Sequence, residues 1–392
     1  MYVRSLQHTL CTSSRGIRFS STKTTSQSSL PAAYYRGGTS RAVFFKTSDL
    51  PPSQADWAPI FRGVIGSPDP YGRQLDGLGG GISSLSKVCV VGDSTHPDAD
   101  VDYTFAALGI KDTDVDFSSN CGNMVSAVGP FAVDSGLFSA AAKSGNGIGD
   151  GTVTVRIHNT NTGKVIHATF PVVDGEAATS GVLAIDGVAG TAAPIQLDFI
   201  NPAGSRTGKL LPTQVVKDLF DGVEATCIDV ANPCVFVKAD DLGVDGTLTP
   251  DEITSTPGLL ERLDSIRRQA GVKMSLADTL ENVPGSVPRI VSMPTGKEEG
   301  KVDLVVRALS VGQPHKAVPI TVALALATAA RLEGSTVNDV TSETNVDPAG
   351  ITIGHASGSI LVGATFGEKQ KLEYATVFRT ARRLFEGRVF WK

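Results

Sequence analysis

Hydrophobic positions along the chain fall into a strand rhythm and a helix rhythm that recur twice in the same order. The β-branched, alternating stretches "RAVFF" (residues 41–45) and "CVFVKA" (residues 234–239) read as strands. They are followed by "KVCVV" (residues 87–91) in one half and "RIVSM" (residues 289–293) in the other, then by a strand of pattern Val-Asp-x-x-x-x-Ala-Leu. Each half then enters a long apolar helix, "NMVSAVGPFAVDSGLF" (residues 123–138) or "AVPITVALALATAARLE" (residues 317–333). A hairpin closes each half: "TVTVRIHNTNTGKVIHATF", turning at Asn161–Thr162–Gly163, and "ITIGHASGSILVGATF". Both helices are apolar almost all round, so each is expected to lie buried, wrapped by the strands of its own half.

Three matches in series make this an internal duplication. "VFFKTSDL" from Val43 returns as "VFVKADDL" from Val235, 192 residues on; "VDYTFAAL" from Val101 returns as "VDLVVRAL" from Val302, 201 residues on. "VTV…ATF" from Val153 returns as "ITI…ATF" from Ile351, 198 residues on. The expectation is an α+β protein of two pseudo-symmetric lobes, residues 31–190 and 200–392, with a cleft between them where a small molecule binds. The alignment matches Lys87 with Arg289 and sets the helix start "SSNCGN" opposite "GQPHKA", which has no cysteine.

Composition narrows the partners. Of 392 residues 41% are hydrophobic and 19% charged, with a net charge of −5 and no Lys/Arg-rich run, which argues against nucleic acid or an anionic membrane surface. No apolar run reaches the length of a membrane span. The expected partners are a small di- or tricarboxylate and, at most, a second copy of the chain in a homodimer. The five cysteines (Cys11, Cys89, Cys121, Cys227, Cys234) are scattered without metal spacing, so free thiols in a reducing compartment are expected. "GNGIGDG" (residues 145–151) follows a helix and precedes a strand, the reverse of a dinucleotide loop, and reads as a linker. Residues 1–30 carry Arg4, Arg15, Arg18 and Lys23 and no acid, and "GIRFSS" puts Arg18 two residues before a cleavage point. That composition fits a mitochondrial transit peptide and a matrix location; a disordered tail, and the cytoplasm, are the alternative.

The chemistry gathers at the helix starts. Two helix N-termini facing one cleft attract carboxylates, and Arg289 adds a clamp for them. The same field favours a thiolate at Cys121, and Lys87 is placed as a second acid/base. These parts suit proton removal beside a carboxylate, with the proton returned elsewhere, and call for neither metal nor organic cofactor.

"PAAYYRGGTSRAVFF", "GGGISSLSKVCVV", "SSNCGNMVSAVGPFAV", "GQPHKAVPITVALALA" and "IGHASG" stand in order from about Pro31 to the C-terminus, and they resemble the signature segments of the PrpF family. That family isomerises unsaturated acids such as 2-methylaconitate, aconitate, methylitaconate and oxalomesaconate. The resemblance implies the diaminopimelate epimerase fold, each lobe a strand-rich sheet or barrel around a central helix. It also implies Cys121 and Lys87 as the acid/base pair, with no second thiol for a two-cysteine racemase. By the same likeness Arg36 and Ser40 belong to a binding loop, and Ser84 and Ser86 to a loop that donates N–H and hydroxyl groups. Asn120, Gly122 and Asn123 offer amides to a carboxylate; His315, Lys316, His355 and Ser357 complete the expected contacts. One departure is Arg41–Ala42 after "RGGTS", where a lysine–glycine pair is expected. The reading is an aconitate or 2-methylaconitate isomerase. Its rivals are an oxalomesaconate tautomerase, a methylitaconate Δ-isomerase, and a non-catalytic carboxylate-binding accessory of an aconitase-like dehydratase.

Overall fold

The computed structural model describes residues 26–117, 120–138, 151–285, 287–294, 301–310, 312–368 and 371–392. The transit-peptide reading therefore falls outside the described residues except for its last five, and the linker at 145–151 does so except for Gly151.

Each half is built by the same sequence of pairings. In the first, β1 (Ser28–Gly37) turns back on β2 (Ser40–Lys46). Helix α1 (Trp57–Ile65) then carries the chain over to β3 (Lys87–Asp93), parallel to β2, since parallel neighbours need a crossover. β4 (Val101–Leu108) runs antiparallel to β3, and α2 (Gly122–Asp134) follows. The hairpin of β5 (Gly151–Asn159) and β6 (Lys164–Val173) places β5 parallel to β4, and β7 (Ile195–Ile200) pairs with β6.

The second half repeats this with β8 (Val223–Val230), β9 (Asn232–Lys238), α3 (Leu259–Lys273) and β10 (Arg289–Met293), with β9 and β10 again parallel. Here the Val-Asp-x-x-x-x-Ala-Leu strand breaks at Val306 into β11 (Leu304–Val305) and β12 (Arg307–Ser310). The break has a cause: β12 pairs with β10 in one sheet, while β11 pairs with β13 (Ile351–His355) in another. After α4 (Ile320–Ala330), β13 forms a hairpin with β14 (Gly358–Phe366), and β15 (Leu372–Arg379) pairs with β14. The class is α+β, as the pattern implied.

Two boundaries differ from the sequence expectation. Strand β7 pairs with β6 on one side and β15 on the other, so one sheet runs through both halves. The last strand, β16 (Ala381–Trp391), returns to the first half and pairs along the whole of β1, and Ser28–Leu30, placed in the leader segment by composition, are part of that ladder.

Helix α2 is buried from Met124 to Val133, and α4 buries every residue from Val322 to Ala330, as all-round apolarity required. Both are shorter than the apolar runs that announced them. The turn after α2 includes Gly136 at φ 75, which ends the helix, and α4 starts only at Ile320 because Pro319 holds an extended backbone. Phe131 of α2 packs against Tyr35 and Phe44, with ring centroids 5.8 and 5.1 Å away. Replacing it leaves a void among neighbours held by two strands. Phe131→Ala should cost about 3–5 kcal/mol in urea denaturation; a loss near zero would mean that α2 does not organise its lobe.

Candidate active site

The two central helices start against each other. A Cβ on Gly122, the first residue of α2, would lie 3.0 Å from the Cβ of Ile320, the first residue of α4. That is tighter than most real Cβ contacts, so a side chain there would require Ile320 to give, and glycine lets the two helix starts meet without it. First-turn amides have no carbonyl acceptor inside their own helix, so both ends present N–H groups and the positive end of a dipole. They do so on the wall of one cavity of about 480 Å³.

That cavity also receives most of the expected side chains. Cys121 is the N-cap of α2; it is half-buried, and its side chain makes no capping bond. Lys87 opens β3, is buried, and holds Nζ 5.2 Å from the ring centroid of Phe105. Arg289 opens β10 as Lys87 opens β3, in matching places beside parallel neighbours. Ser40, Ser84, Asn120, Gly122, Asn123, His315 and His355 line the same space.

Four expected contacts are placed elsewhere. Arg36 donates through Nη1 to the carbonyls of Gly38 and Thr380 and to the Thr380 hydroxyl, each at 3.0 Å, so it ties the chain's end to the "RGGTS" loop. The Ser86 hydroxyl is buried against Gln74 Oε1 and the Ile82 carbonyl. The Ser357 hydroxyl donates to the Lys316 carbonyl at 3.1 Å, and neither residue lines the cavity. The segment "GQPHKA" is not a helix start either: Gln313 and Pro314 pair with Ser310 and Leu309. The counterpart of Cys121 at the start of α4 is Pro319, which carries no thiol.

Sequence reasoning missed Asn232, Thr321, Ser359, Asp186 and Arg379, all on the cavity wall. For two of them a signal existed. The 192-residue offset puts Asn232 opposite Ser40, and the matched N-caps put Thr321 opposite Asn123. Each helix start is tied by a polar bond to a strand or turn of its own half: Asn123 donates to the Thr39 hydroxyl at 3.0 Å, and Asn232 to the Thr321 hydroxyl at 3.1 Å. Arg289 Nη1 also donates to Thr321, at 3.2 Å, while its Nε is buried with no partner among the described residues. The "GHASGS" turn is engaged by the chain's own Asp186, which accepts from the Ser359 amide.

The electrostatics are those of an anion site. Burial lowers the pKa of Arg289, an effect opposed by Cys234. Burial also lowers His315 from 6.5, and the charge of Arg289 pushes the same way. His355 is lowered chiefly by burial; Asp186 opposes this, while Arg379 and Arg307 add to it. Both imidazoles thus resist a proton that the unfolded chain would take up near 6.5. Their contribution to stability is present above that value and is lost as pH falls below it. Between about pH 7.5 and about pH 5.5 the unfolding free energy should drop, and His315→Gln/His355→Gln should drop less. Equal slopes in urea titrations of the two proteins would contradict this.

Comparison with known proteins agrees with this geometry. The family model described as "PrpF protein" matches residues 27–392. The 3-methylitaconate isomerase of Eubacterium barkeri is 40% identical over 382 residues, covering 93% of this chain and 97% of that protein. The 2-methyl-aconitate isomerase of Shewanella oneidensis is 38% identical over 390 residues, covering 92% and 96%. The crystal structure of methylitaconate-delta-isomerase matches with a TM-score of 0.84 at 39% identity, over 93% of this chain and 96% of that one. With the match running from the first strand to the last residue, the chain belongs to the PrpF family.

Proposed function

We propose that the chain isomerises a small unsaturated tricarboxylate, aconitate or 2-methylaconitate, by taking a proton from one carbon and returning one to the same allylic system. The isomerase class follows from the family and from its named relatives. The observation that carries the reading is the meeting of Lys87, Cys121, Arg289 and two helix N-termini in one cavity.

One member of the Cys121–Lys87 pair accepts a proton from the carbon next to a C=C–carboxylate unit. The C–H electrons form a new C=C bond, and the old π electrons spread onto the carboxylate as a dienolate. The other member, carrying its proton, donates it to the far carbon, which shifts the double bond. Returned to the original carbon after rotation, the proton instead yields the cis–trans isomer. The dienolate places extra charge on a carboxylate, where the helix amides and Arg289 are already aimed. One such preorganised donor is worth on the order of 3 kcal/mol of barrier. His315 and His355, held neutral, serve as hydrogen-bonding walls and add no competing acid.

A second reading, a double-bond shift in a dicarboxylate, is favoured by the relative named 3-methylitaconate isomerase. Incubation with each acid, followed by ultraviolet absorbance for conjugation and by product analysis, separates the two. In deuterium oxide the product should carry solvent deuterium, and Cys121→Ser and Lys87→Ala should each lower kcat at least about 100-fold. Near-normal turnover of both variants with no deuterium in the product would sink the mechanism.

A further inference from the structure

Arg379 ends β15 on the wall of the cavity. Its Nε is buried with no partner among the described residues, and its Nη1 reaches only the adjacent Phe378 carbonyl, at 3.3 Å. Burial alone lowers its pKa, to about 10, with no acidic neighbour offsetting the effect. A guanidinium withdrawn from water without a counter-charge is destabilising, and a fold tolerates one where a ligand supplies the missing anion.

Its backbone is firmly held. The next residue, Thr380, is buried, and its carbonyl accepts from Gly38 N at 2.9 Å and from Arg36 Nη1 at 3.0 Å. Arg36, expected to touch substrate, instead anchors the strand end that presents Arg379. On this side of the cavity the Ser359 amide is already taken by Asp186, whereas the guanidinium Nε has no partner among the described residues. Arg289 is a separate anchor. It stands with Thr321, Asn232 and His315, and neither arginine is among the charges that perturb the other.

One cavity thus offers three places for a carboxylate: the paired helix starts, Arg289 and Arg379. We propose that Arg379 binds the third carboxylate of the substrate and sets a preference for tricarboxylic over dicarboxylic acids. The proposal rests on the reading of the site as one for unsaturated carboxylates, and its test does not depend on turnover.

The affinities of trans-aconitate, with three carboxylates, and mesaconate, with two, are measured by titration calorimetry on the wild type, Arg379→Gln and Arg379→Lys. In Arg379→Gln the preference for trans-aconitate should fall about 30-fold, the scale of a hydrogen-bonded charge pair. Arg379→Lys should keep part of that preference. Without ligand, Arg379→Gln should melt no lower than the wild type, because an unmatched charge has been removed. An unchanged preference, whether both acids bind as before or weaken alike, overturns the proposal, as does wild-type protein that fails to bind trans-aconitate. If Arg379→Gln fails to fold, Arg379→Lys decides by the same ratio. Should the wild type bind both acids and isomerise neither aconitate nor 2-methylaconitate, the functional reading falls, while the ratio still judges Arg379.

Discussion

The contact on which the site depends is the approach of two helix starts, Gly122 against Ile320. It is a packing fact with an electrostatic consequence. The leading amides of each helix have no acceptor within it, and bringing both ends to one wall adds two positive fields. A side chain larger than glycine at 122 would press on Ile320, which would have to give way. The buried apolar faces of α2 and α4 hold the ends in place, so the core and the site are one construction.

Cations gather around that wall with little internal counter-charge. Asp186, the carboxylate among the lining residues, is engaged by the Ser359 amide, and Arg289 has no acidic partner among the described residues. Such an arrangement is costly in the free protein and becomes favourable when a multiply charged anion enters. Loops brace the site against that repulsion. Arg36 joins the "RGGTS" loop to Thr380, and Asn123 joins it to α2 through Thr39.

How much of this was legible follows from what duplication preserves. Strand order, both central helices and the Lys87–Arg289 match were readable because the repeat carries them in series. The ends of α4 were not, since apolarity continues through Ala317 and Val318 while Pro319 governs the backbone. The roles of Arg36, Ser86 and Ser357 were misassigned because lying in a binding segment does not say which way a side chain turns. Each of them bonds to backbone or to a buried amide. Arg379 left no mark at all. It ends an alternating strand, and it matters only because β16 folds back across the halves to hold its neighbour.

The duplication has also divided the labour. Lys87 and Cys121 both come from the first half, whereas Arg289, Asn232, Thr321, His315, His355 and Arg379 come from the second. At the two equivalent pairs of positions, lysine faces arginine and cysteine faces proline. Arginine keeps its proton at any physiological pH and proline has none to give, so neither substitution in the second half can exchange a proton with carbon. A site with like groups on both sides inverts one carbon symmetrically. Here the proton-handling side chains of the proposed mechanism lie in one half and both arginines of the cavity in the other. That asymmetry suits an acid whose carboxylates stay fixed while a proton moves along its carbon skeleton, and it leaves the second half free to select among acids by how many carboxylates they carry.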